Sequence, residues 1–118
     1  MTQKIKHGEI WLANLNPGRK SEPGKTRPVL ILQDQALLDV AHPSTIVVPL
    51  TTKLVDDAYP LRVRVDMQDQ LEKDSDLLID QIRSIDNSRL SPKGPLTKLD
   101  EKKMSQVYSA VFEVVGAS

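Results

Sequence analysis

The sequence predicts a mainly β domain of the α+β class: a small, strongly curved antiparallel barrel or sheet with one amphipathic helix packed across it. Three observations carry this expectation. Five apolar, β-branched runs of strand length recur between turn signals built from Pro, Gly and Asn. A single helical periodicity occurs, and it lies at the C-terminal end. The strand–helix alternation of a doubly wound sheet and the continuous periodicity of a helix bundle are both missing. At 118 residues the chain, read as one domain from 1 to 118, is long enough to bury a core that needs no metal or disulfide staple.

Gly8 to Leu15 (GEIWLANL) reads as the first strand, closed by the turn signal Asn16-Pro17-Gly18. A loop broken by Pro23 and Gly24 follows, with cations at Arg19, Lys20, Lys25 and Arg27 and one acid at Glu22. It runs straight into Pro28 to Gln33, whose unbroken apolar character predicts a central strand buried on both faces. Asp34 to Val40 allows one helical turn before His42-Pro43 breaks it. Ser44 to Leu50 (STIVVPL) is the third strand, with Pro49 placed where ladder pairing ends and Thr51-Thr52 emerging beyond. Leu61 to Asp66 alternates with period two and puts its arginines on one face of a fourth strand. Leu77 to Ile85 reads as a fifth strand, bulged near Asp80-Gln81, and Ser91 to Pro95 as a turn. Asp100 to Val115 carries Met104, Val107, Tyr108, Val111, Phe112 and Val115 at helical spacing, with Tyr108 and Phe112 assigned to the core. Asp100 or Thr97 caps this helix and Gly116 ends it.

Composition excludes several functions. There is no cysteine, so thiol chemistry, Fe–S clusters and cysteine zinc sites are out. The N-terminal MTQKIKHGEI lacks the apolar stretch of a signal peptide, and no run approaches the ~18 apolar residues of a membrane span. A soluble, cytoplasmic protein is expected. The net charge is zero, which argues against non-specific coating of nucleic acid. Its distribution is uneven: seven Lys/Arg face four Asp/Glu in residues 1 to 55, but four face nine in residues 56 to 86. A local basic groove beside an acidic flank suits a ligand with a few phosphates better than a long duplex.

His7 and His42 stand alone, without metal-ligand spacing, and read as exposed surface. The acids from Asp66 to Asp76 lack the pattern of a calcium loop and read as a solvated turn. No phosphate loop, nucleophile elbow or dinucleotide fingerprint is present. What remains is a set at strand ends and interruptions: Arg27, Thr51, Thr52, Asp80, Gln81 and Arg83. Arginine grips phosphate oxygens bidentately, threonine hydroxyls hold further oxygens, and Asp80 and Gln81 are suited to the edges of unpaired bases. Two structural readings stand beside these: an Asp80–Arg83 ion pair closing the sheet, and a threonine pair chosen for β propensity.

Four blocks in order resemble the MazF/PemK family of toxin endoribonucleases: GEIWLANLNP at 8 to 17, SEPGKTRPVL at 21 to 30, VPLTT at 48 to 52 and DQIRSID at 80 to 86. The resemblance implies an SH3-like, CcdB-like antiparallel β-barrel that forms a homodimer and cleaves single-stranded RNA at short sequences. Cleavage would need no metal or cofactor and would leave a 2′,3′-cyclic phosphate and a 5′-hydroxyl. The protein would be the toxin of a pair, neutralised by a MazE-like antitoxin and touching operator DNA only within that complex. The resemblance makes Arg27 and Thr51 the catalytic residues. It gives Ser21, Glu22 and Lys25 to a mobile loop over the RNA and Asp80 and Gln81 to the RNA-binding groove, where the reading of the residues also sets Thr52 and Arg83. Lys20 stands where many members have glycine, and Leu78 where some carry an additional arginine, so that arginine's role does not transfer. The alternative reading, a CcdB-like DNA gyrase poison, shares the barrel but acts through a C-terminal contact, and Val115-Gly116-Ala117-Ser118 offers no aromatic anchor for it.

Overall fold

A computed structural model describes residues 4–17, 20–21 and 25–117. Its elements are β1 (Glu9–Asn14), β2 (Thr26–Ile31), α1 (Gln35–Asp39), β3 (Ser44–Thr51), β4 (Arg62–Val65), β5 (Ser75–Leu78), β6 (Arg83–Asp86), β7 (Leu90–Lys98) and α2 (Glu101–Val114). All pairings between strands are antiparallel, in the order β4-β5-β3-β2-β1-β7, with β6 also on β3.

β3 organises the sheet. One edge pairs with β2; the other is shared, by β6 along Ser44–Val47 and by β5 along Leu50–Thr51. Val48 and Pro49 fall between those two partners, so the proline sits where that edge has no rung to lose. Pairing therefore resumes past Pro49 and carries β3 to Thr51. The expected single fifth strand is two strands, β5 and β6, separated by a 3-10 turn at Ile79–Gln81. That turn moves the chain from one half of the β3 edge to the other, which a simple bulge does not achieve.

The expected turn at Ser91 to Pro95 is instead the middle of β7, a nine-residue edge strand. Among the described strands β7 pairs with β1 alone, so it tolerates Pro92 and Pro95, and Gly94 takes φ +89° where the β1–β7 register shifts. The two ends of the sheet approach each other through the β4–β5 connection. Gln70 N–H donates to the Leu96 carbonyl of β7 (3.1 Å), and Gln68 Nε2 donates to Thr97 Oγ1 (2.8 Å). The result is barrel-like and not closed.

The two faces of the central strands feed two cores. Ile10, Leu30, Val48 and Leu50 point to one side, joined there by Val63, Leu77, Ile79 and the α2 residues Met104, Val107 and Ala110. Trp11, Ala13, Val29, Ile31 and Val47 point to the other, with Ile85 and Leu90. This is the period-two alternation of strands with both faces covered. In α2, Asp100 Oδ1 accepts the Lys103 N–H (2.8 Å) as N-cap, and Gly116 follows the helix with φ +75°. Tyr108 and Phe112 are not core: they are 39% and 54% exposed. The buried stripe runs through Met104, Val107 and Ala110, flanked by Val111 and Val114. Tyr108 lies one residue, about 100°, past Val107, and Phe112 one residue past the flanking Val111.

Candidate functional site

The basic loop and the end of β3 are brought together by the β2–β3 ladder. Its register pairs Val29 with Pro49, and two residues farther along each strand stand Arg27 and Thr51. Both line a shallow pocket of about 270 Å³, together with Lys25, Thr52, Lys53 and Ser75. The described lining holds three cations and four hydroxyls, counting Thr26, and no carboxylate. Arg27 is half-buried and its Nη1 donates to the Leu50 carbonyl at 3.4 Å, one residue before Thr51. The guanidinium is thus held against the strand that carries the threonine. Thr51 is half-buried; Lys25, Thr52 and Lys53 are exposed.

The base of the loop is fastened by its own backbone. Lys25 takes φ +66°, its N–H donates to Asn16 Oδ1 (2.5 Å), and its carbonyl accepts the Leu15 N–H (2.9 Å). Arg89, just before β7, donates through Nη1 to the Asn14 and Asn16 carbonyls at 3.0 and 2.6 Å. Lys25 therefore enters the pocket from a fixed stem. Ser21 is exposed and does not line the pocket, and Glu22 lies outside the described residues.

The sequence-derived set is only partly assembled in this pocket. Asp80 and Gln81 sit on the 3-10 turn, and Arg83 opens β6 opposite Val47. Val47 is four residues from Thr51, roughly 13 Å at strand rise. None of the three lines the Arg27 pocket. No Asp80–Arg83 ion pair occurs among the described residues. Lys53 and Ser75 were not foreseen. Lys53 was legible as the third residue of Thr51-Thr52-Lys53, whereas Ser75 comes from a strand whose start the sequence obscured.

A larger cavity of about 960 Å³ lies between the 55–59 connection, β4 and α2. Its arginines are already neutralised. Asp76 is 1% exposed and accepts from Arg64 Nε (2.5 Å), Arg62 Nη1 (3.1 Å) and the Val55 N–H (2.9 Å), while Arg64 also reaches Asp56 (2.8 Å). Burial pushes the Asp76 carboxyl up, but the bonds from Arg64, Val55 and Arg62 outweigh it and hold its pKa below the usual carboxylate value. Asp76 and then Asp56 raise the pKa of Arg64 in turn. The acidic stretch ending at Asp76 is thus not wholly a solvated turn. Lys102 and Lys103 also line this cavity, but with Asp56, Asp57 and Asp76 beside them; the small pocket, with no carboxylate in its described lining, is the better host for an incoming anion.

His7 is not free surface either: Nδ1 lies 2.9 Å from the Gln33 carbonyl and Nε2 lies 2.5 Å from the Tyr108 hydroxyl. It ties the segment before β1 to α2. His42 is exposed. Among the described residues no three His, Asp or Glu side chains are grouped to hold a metal ion, and no helix is long and apolar enough to cross a membrane.

Comparison with known proteins agrees with this architecture. A family model described as "PemK-like, MazF-like toxin of type II toxin-antitoxin system" matches residues 6–115. The chain is 36% identical over 108 residues to an endoribonuclease MazF of Staphylococcus saprophyticus, covering 91% of this chain and 88% of that one. Among solved structures it is similar to MazF of Deinococcus radiodurans, with TM-score 0.78, 22% identity and coverage of 97% and 98%. It is also similar to the Mycobacterium tuberculosis toxin MazF-mt6, with TM-score 0.76, 22% identity and coverage of 93% and 98%. A MazE-MazF complex from Deinococcus radiodurans matches with TM-score 0.74, 22% identity and coverage of 98% and 99%.

Proposed function

The chain belongs to the PemK-like, MazF-like toxin family of type II toxin–antitoxin systems, and we propose that it is a sequence-specific endoribonuclease that cuts single-stranded RNA at the Arg27–Thr51 pocket without a metal ion. The observation that carries this reading is the pocket lining: Lys25, Arg27 and Lys53 with four hydroxyls and no described carboxylate. RNA brings its own nucleophile, the 2′-hydroxyl beside the scissile phosphate. The protein's work is to align that group in line, to stabilise charge on the phosphoryl oxygens and to help protons move.

Arg27 suits the second task, because its planar fork meets two phosphoryl oxygens at once. A guanidinium stays charged in the resting site and is a poor base, so its proton role is donation to the leaving 5′-oxygen. Thr51 holds a further phosphoryl oxygen, and Lys25 and Lys53 hold neighbouring phosphates. Asp80, Gln81 and Arg83, on the turn and the strand that follow β5 beside β3, belong to a longer track that reads bases beyond the cut. Ser21 and Glu22 belong to the loop above it. One protomer offers little concave surface for several nucleotides, so a homodimer whose two-fold axis extends the groove is part of the reading. The MazE-MazF match supports an antitoxin as partner, with an acidic extended segment laid in the cationic groove. Operator DNA is met only in that complex, and an RNA substrate places the work in the cytoplasm.

The test is digestion of a long RNA in EDTA with sequencing of the fragment ends. Cuts at one short motif, bearing 2′,3′-cyclic phosphate and 5′-hydroxyl ends, and their loss in folded Arg27→Ala, are expected. Full cleavage by Arg27→Ala overturns the assignment.

A further inference from the structure

β5 is a four-residue strand, Ser-Asp-Leu-Leu, with three buried residues, and the second is a carboxylate. A charge is not needed to fill that position. Asp76 pairs with Thr51 of β3 on one side and with Arg64 of β4 on the other, so its side chain shares a face of the sheet with both.

Thr51 is the last residue of β3, and although its β-branch restricts χ1, more than one rotamer stays open to the hydroxyl, so a contact beyond the strand can select among them. Here a chain of bonds does. Lys53 N–H donates to Thr51 Oγ1 at 3.2 Å. The carbonyl of the same Lys53 accepts from Arg62 Nη1 at 2.8 Å, and that same Nη1 donates to Asp76 Oδ2 at 3.1 Å. Two residues on, the Val55 N–H donates to Asp76 Oδ2 at 2.9 Å. The other oxygen, Oδ1, is occupied by Arg64. One buried carboxyl group thus fastens the exposed Lys53–Val55 stretch at two points, and that stretch in turn touches the Thr51 hydroxyl.

We propose that Asp76 is a positioning residue for Thr51: through Arg62 and the Lys53 peptide it fixes the orientation in which the Thr51 hydroxyl meets the scissile phosphate. The inference rests on the reading of Thr51 given above. Asp76 does not touch RNA; it sets the geometry of a group that does. Because the Lys53 N–H occupies an acceptor site of Oγ1, the hydroxyl proton remains to be donated to a phosphoryl oxygen. Without the clamp, Lys53 leaves and the threonine samples other rotamers.

The test is a double-mutant cycle in single-turnover cleavage of a defined oligoribonucleotide, using Asp76→Asn and Thr51→Val at a temperature where both variants are folded by circular dichroism. Arg27 is intact in all of them, so residual cleavage stays measurable. Asp76→Asn is expected to lower the cleavage rate about tenfold or more with KM changed less than twofold, and to have an effect below twofold once Thr51 is valine. If Asp76→Asn does not fold, Arg62→Met cuts the same chain one link later while Asp76 keeps Arg64, and the same pattern is expected of it. A normal rate in the single variant, or equal losses with and without the Thr51 hydroxyl, overturns the inference. Wild-type cleavage by Thr51→Val is a different failure: it removes Thr51 from the site and takes the inference with it.

Discussion

Asp76→Ala removes a carboxylate that is 1% exposed, while the arginines it holds, Arg62 and Arg64, have side chains 24% and 36% exposed. Removing one member of a buried ion pair costs about 3–5 kcal/mol when the other charge is left buried and alone. Here both arginines reach water, which reduces that cost, while the lost bond to the Val55 N–H adds about 1 kcal/mol. The expected loss is about 2–4 kcal/mol in urea unfolding at pH 7. Arg64→Ala is the comparison. It leaves Asp76 paired with Arg62 but strips the buried Oδ1 of its partner, so about 1–3 kcal/mol is expected, little of it from an Asp56 whose side chain is 81% exposed. The pH dependence has a definite sign. The folded-state pKa of Asp76 lies below its ordinary value, so as pH falls the unfolded chain, with a carboxyl pKa of ~3.9, binds the proton first. The advantage of the wild type over Asp76→Asn is therefore full above about pH 5 and shrinks as the pH drops through the folded-state pKa. Unfolding both proteins at pH 7, 5, 4 and 3 reads this directly. A difference that is the same at pH 7 and pH 3 would refute the assignment of an ionised, paired Asp76.

Arg27→Lys keeps the charge but loses the fork, and its cleavage rate is expected to drop about 10²–10³-fold, as when one preorganised donor is removed from a reaction's charged centre; a rate within threefold of wild type contradicts bidentate phosphate contact. Leu77→Ala empties a fully buried position between β3 and β4 and should cost about 2–5 kcal/mol, whereas Phe112→Ala, on the exposed side of α2, should stay within about 0.5 kcal/mol; thermal unfolding separates the two. Asp100→Ala removes the cap of α2 and is expected to lose about 1 kcal/mol, read as a lower denaturation midpoint with unchanged slope.

Apolar runs made β1, β2 and β3 legible, because a strand covered on both faces has little freedom in composition. The helix was legible from its period, but the period alone did not fix which side of a wide apolar stripe turns inward, and Tyr108 and Phe112 fell on the wrong side of it. β7 was hidden by Pro92, Gly94 and Pro95, residues that end a central strand but are tolerated on an edge. For the candidate site, Arg27 and Thr51 could be proposed from the four blocks, and the β2–β3 register brings the two to one pocket. Asp76 could not be picked out among nine acids, because its burial is decided by two arginines that alternate along a different strand. The one available signal was its position inside an otherwise apolar or small run, Ser75 to Ile79.

β3 gives Val48 and Leu50 to one core and Val47 to the other, and it ends in Thr51. The two hydrophobic masses share this strand, so they are expected to unfold together and to take the pocket with them. Partial melting is then a poor way to grade activity, and a partner that silences the pocket while the chain stays folded is expected to cover it.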